Sequence, residues 1–165
     1  MKKNTNNSEV LHHREQIYML RELREDWKKG ITETEMKILK ARIEDKLSFG
    51  QMSPQDLKVD VDLLIFKACA ITGSDMPPNE YFADILSGEL MKFLLDFGYA
   101  DYNIEEILLA FRLNANGIKY ASGEHPPKIY FKGVLNINTV ADVLVYYSIL
   151  RTTLDRKIQN NIDEY

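Results

Sequence analysis

Lys119, Tyr120, Lys128, Tyr130, Phe131 and Lys132 crowd into one stretch, GIKYASGEHPPKIYFKGVL, at residues 117–135. Lysine ammonium groups hold phosphates while aromatic rings stack on bases, which is how single strands are gripped. Residues 119–133 carry three lysines against one glutamate, whereas residues 61–118 carry three basic against nine acidic side chains. The positive field is therefore local. The competing reading is that the rings pin the loop to the core and the lysines only solvate it. Three lysines neutralise few phosphates, giving a single-strand salt slope of only about −2 on a log–log plot. The expectation is a contact with a protein partner or with single-stranded nucleic acid, held in place by a second protein.

The other reactive residue types form weaker patterns. His12 and His13 are neighbours, so on a helix they diverge by about 100° and do not face one metal together. His125 sits beside Pro126 and Pro127 and lacks the orienting partner that acid–base catalysis needs. Cys69, within KACAITG, has no electropositive neighbour to activate its thiol. Glu105 and Glu106 fall in a first helical turn, where carboxylates complement the helix dipole. Glu105, Arg112 and Asn116 leave a thin polar stripe on an otherwise apolar helix. It reads as a solvent edge, or as an anchor for the following loop or a partner. The glycines make no phosphate-binding pattern. No catalytic group, metal site or cofactor is expected.

These residues have to be positioned by helices. NIEEILLAFRLNANG, residues 103–117, has a capping residue in front, a glycine behind and apolar side chains almost all round. That is the pattern of a buried helix, and it is expected at the centre of an all-α fold. About six helices are expected in all. Val10, Ile17, Leu20, Leu23 and Trp27 mark one from about residue 8 to 29, and Gly30 ends it. Thr32 and Glu35 form a capping box for a second helix bearing Met36, Leu39, Ile43 and Leu47. The short link makes these two an antiparallel hairpin, residues 8–49, expected as an appendage with narrow seams. Leu11, Tyr18, Met19 and Ile38 then need cover, from the main domain or from a second copy. Ser53, Pro54 and Asp56 announce a third helix. Val59, Leu63, Phe66 and Ala70 fall on one of its stripes, and Val61, Leu64, Ile65 and Ala68 on the neighbouring one. Val59, Val61 and Leu63 alternate with Asp60 and Asp62, so a short strand is the alternative there. A fourth helix, about 79–97, carries Phe82, Ile85, Leu86, Leu90, Phe93, Leu94 and Phe97, with Gly88 suggesting close approach of a neighbour. The last, about 138–160, buries Val140, Val143, Leu144, Tyr147, Leu150, Leu154 and Ile158. Within the long loop, Ile118–Tyr120 and Ile129–Phe131 could pair as a small ribbon. The division expected is a disordered tail at 1–7, the hairpin, and a helical domain at 53–160.

With 165 residues the chain has length for one domain, and its net charge of −4 is not the basic footprint of a duplex-DNA binder. One cysteine rules out an internal disulfide. No apolar run approaches the ~20 residues that span a bilayer, and MKKNTNNSEV has no apolar signal core. A cytoplasmic protein that does not engage membranes is expected.

From about residue 61 to 156, the order of NIEEILLAFRLNANG, a tyrosine-containing loop and VADVLVYYSILR resembles small helical proteins of bacterial prophages and mobile elements. Some of those are presumed replication accessories. The resemblance implies a non-enzymatic accessory or adaptor of mobile-element DNA metabolism. The alternative is a structural or assembly module that self-associates through residues 8–49.

Overall fold

Asn103 opens the central helix with a reciprocal cap. The structure, a computed structural model, describes residues 29–44, 46–117, 129 and 131–163. Glu106 N–H donates to the Asn103 side chain at 3.0 Å, and Asn103 N–H donates to the Glu106 carboxylate at 3.3 Å. Two otherwise orphaned donors are satisfied at once. Among the described residues the fold is all-α. Its helices are α1 (Glu33–Ile43), α2 (Pro54–Thr72), α3 (Glu80–Asp96), α4 (Ile104–Asn116) and α5 (Ile137–Asp163), with a 3-10 turn at Phe49–Gln51.

Local chemistry sets each boundary. Thr32 and Glu35 cap α1 reciprocally. Ser53 caps α2 with Pro54 in the first turn, and Gly73 ends it in the left-handed region. The alternating stretch from Val59 to Leu63 is therefore helical. Asn79 caps α3, and Asn136 accepts from Thr139 N–H at the start of α5. In each case a side-chain oxygen takes a first-turn donor that has no partner within the helix.

Helix α4 is the hub, packing against α1, α2 and α5. Ile107, Leu108, Ala110 and Phe111 have no solvent exposure. All seven residues expected on the buried stripe of α5 are buried. Helix α1 belongs to this same core: Ile38 and Leu39 are buried in it, and Asn103 Nδ2 donates to the Ala41 carbonyl at 2.9 Å. Ile38 thus takes its cover from the main domain, one of the two sources expected. Residues 8–28, the other half of the expected hairpin, lie outside the described residues.

The connections are stitched to the helices. Phe49 N–H donates to Tyr102 O and Gly50 N–H to Ala100 O, which seats the buried Phe49 ring. A Cβ on Gly50 would come within 3.1 Å of the Ala100 carbonyl oxygen, so any side chain there would press on that backbone. The close approach expected at Gly88 is absent, since nothing would meet a Cβ there. A parallel bridge between Asp75 and Val134 ties the α2–α3 connection to the approach to α5.

Phe111→Ala is expected to cost about 3–5 kcal/mol, as for a fully buried aromatic. Chemical denaturation checks this, and a loss below about 1 kcal/mol would remove Phe111 from the core.

Candidate interaction surface

Apolar residues on α2 occupy two opposite faces, and only one face can meet the core. The buried face is Leu57, Val61, Leu64, Ile65, Ala68 and Cys69. The other stripe points out: Val59 is 66% exposed, Leu63 40% and Phe66 62%. Helix α3 repeats this. Leu90 and Leu94 are buried, whereas Tyr81 is 71% exposed, Phe82 51% and Ile85 47%. The broad buried face expected for α3 is therefore narrower, and Phe82, Ile85 and Phe97 lie outside it. Phe97 stacks on Phe93 at 5.8 Å.

The two helices pack side by side through a polar seam. Lys58 Nζ reaches Asp62 at 2.9 Å and Asp84 at 3.4 Å, and Ser87 Oγ donates to Asp62. Both helices bury their inner faces in one core and leave these apolar side chains exposed. From residue 54 to 96 the chain carries eight carboxylates against three lysines. Lys58 is engaged in the seam, and Lys92 lies 3.8 Å from Glu89. These two helices and the connection between them are therefore acidic overall.

The loop residues singled out from the sequence fare differently. Lys119, Tyr120, Lys128 and Tyr130 lie outside the described residues, as does the Ile118–Tyr120 half of the expected ribbon. Phe131 is half-buried, with its ring 6.1 Å from that of Phe111. It packs on the core rather than standing free for a base, because α4 offers it an aromatic neighbour. Lys132 is exposed.

On α4, Arg112 and Asn116 are exposed, and Glu105 pairs with Lys46 at 2.7 Å. Lys46 holds the Glu105 carboxyl below its ordinary value. The anchor for the loop does come from this helix, but it is Asn114. Its buried amide donates to Ile129 O and accepts from Ile129 N–H, both at 3.4 Å.

Sequence reading also missed what Glu106 does beyond capping. Tyr147 Oη donates to it at 3.1 Å and Arg151 Nε at 2.8 Å. Arg151 also binds Asp101 at 2.9 Å and lies over the Tyr102 ring at 4.0 Å. Burial pushes the Glu106 carboxyl above its ordinary value, against the pull of Arg151 and Arg42. The available signal was Arg151 interrupting the apolar stripe of the last helix. The Cys69 thiol is buried, and burial raises its pKa, so it is protonated at neutral pH. Among the described residues, no helix is long and apolar enough to cross a membrane and no group of three or more acidic, His or Cys side chains is placed to hold a metal.

No known protein family, no curated protein and no solved structure matches the chain.

The two faces of α2 separate in a mutational test. Phe66→Ser should change stability by no more than about 0.5 kcal/mol, whereas Leu64→Ala, two residues away, should cost about 2–5 kcal/mol. Thermal or urea denaturation of both variants checks the helix register; equal losses would contradict it.

Proposed function

We propose that the chain is a non-enzymatic adaptor that binds another protein through the outer faces of α2 and α3, in the DNA metabolism of a mobile element. The observation that carries the reading is the row Val59, Leu63 and Phe66 on α2, with Tyr81, Phe82 and Ile85 on the adjoining α3, all exposed on helices whose opposite faces complete the core. Scattered exposed apolar side chains are ordinary, but contiguous ones mark interaction sites. The setting in DNA metabolism rests on the likeness of residues 61–156 to prophage proteins. Contact with nucleic acid is the weaker part of the reading, because Phe131 packs on Phe111 and the α2–α3 surround repels phosphates.

The test is affinity capture from host cells with the full chain and with a Leu63→Glu, Phe66→Glu variant of matched thermal stability. One protein recovered in stoichiometric amount by the wild type and lost with the variant is expected. Equal recovery, or none with either, would overturn the adaptor reading.

A further inference from the structure

We infer that the occupant of the α2–α3 face is a basic amphipathic helix of a partner protein; this rests on the adaptor reading above. The shape argument comes first. Val59, Leu63, Phe66 and Ala70 follow the i, i+4, i+7, i+11 spacing of one helical face, which runs for roughly 16 Å along the helix axis. Tyr81, Phe82 and Ile85 add one exposed apolar turn on the adjoining α3. The three-turn apolar rail of α2 suits an amphipathic helix laid along it, read through anchors of the same periodicity.

Charge then selects the occupant. Eight carboxylates against three lysines line this part of the chain. Lys58 is held by Asp62 and Asp84, and Lys92 is near Glu89. Exposed Asp56, Glu80 and Asp96 have no cation within ion-pair distance among the described residues. A docked helix with lysines and arginines flanking its apolar stripe supplies those cations. Like charges set against each other across an interface cost several kcal/mol, which excludes three other occupants. A second copy docking face to face would set acids against acids. Nucleic acid and anionic lipid would meet the same repulsion. Residues 1–28 of this chain carry six basic and five acidic side chains and bring a net charge of only +1.

The experiment uses fluorescently labelled synthetic peptides of about 20 residues, long enough for five helical turns. All share a leucine stripe at i, i+4, i+7 and i+11. One carries lysine and arginine at the flanking positions, one carries glutamate there, and one scrambles the basic sequence. Anisotropy is read against the full wild-type chain, the Leu63→Glu, Phe66→Glu variant, and an Asp56→Asn, Glu80→Gln, Asp96→Asn variant. The basic peptide should bind at least about tenfold more tightly than the acidic one, with the advantage shrinking at high salt. It should lose binding to the first variant and weaken with the second. Equal affinity for acidic and basic peptides, or equal affinity for the scrambled one, overturns the inference. So does binding that survives Leu63→Glu, Phe66→Glu. If no peptide binds while the captured partner still depends on Leu63 and Phe66, the basic-helix inference falls and the adaptor reading stands. Sedimentation of the full chain closes the remaining route: a dimer broken by Leu63→Glu, Phe66→Glu would make a second copy the occupant and overturn the inference.

Discussion

A single buried carboxylate ties the fold together. Glu106, 1% exposed, accepts from the Asn103 main chain, from Tyr147 and from Arg151. Asn103 in turn holds the last turn of α1 through Ala41. The start of α4 is thereby fixed to the middle of α5 and the end of α1. A charge taken out of water is unfavourable unless paired and hydrogen-bonded. Burial works against the Arg151 charge too, but Glu106 and Asp101 outweigh it, so the guanidinium holds its proton more tightly than usual. Neither Glu106 nor Arg151 tolerates loss of the other easily, since the survivor would be stranded in the core. Tyr102 completes the arrangement beneath the guanidinium. Its hydroxyl lies 3.1 Å from Ser148 Oγ, and Ser148 already donates to Leu144 O, so Tyr102 is the donor.

With α4 enclosed by α1, α2 and α5, the core has taken one face of each surrounding helix. Helix α2 has a second apolar face to spare. The outward stripe is not needed to complete the domain, because Leu57, Val61, Leu64 and Ile65 already do so. It remains exposed beside the similar surplus on α3. The same helices that wall the core present the exposed apolar surface on which the proposed function rests.

Much of this was legible in the residues. Caps at Thr32, Ser53, Asn79 and Asn103 act over three positions, so they show in a linear sequence. The seven-residue stripe of α5, interrupted only by Arg151, has one possible inward face. Helix α2 was harder, since its two apolar stripes are equally periodic and periodicity does not say which one turns inward. Phe49 sits in a break between helices and is buried only because Ala100 and Tyr102, some fifty residues on, receive its turn. Gly88 and Gly50 show the same limit. A glycine in a helix draws the eye, but the close approach falls at the other one, in the turn against Ala100. Glu106, Arg151 and Asn114 are polar residues with partners 15 to 50 positions away. Arg151 is marked only by breaking into the apolar stripe of α5, and nothing local distinguishes Glu106 or Asn114 from solvent-facing neighbours such as Arg112.

Hydroxyl-radical footprinting of the full chain, kept monomeric by dilution, tests the central claim most directly. The core and the outer face both carry aromatic rings, so one experiment reads both. Phe66, Tyr81 and Phe82 should be oxidised rapidly, while Tyr102, Phe111 and Tyr147 are protected. Protection of Phe66, Tyr81 and Phe82 to the level of Phe111 would mean that the chain covers this face itself, and would contradict the account.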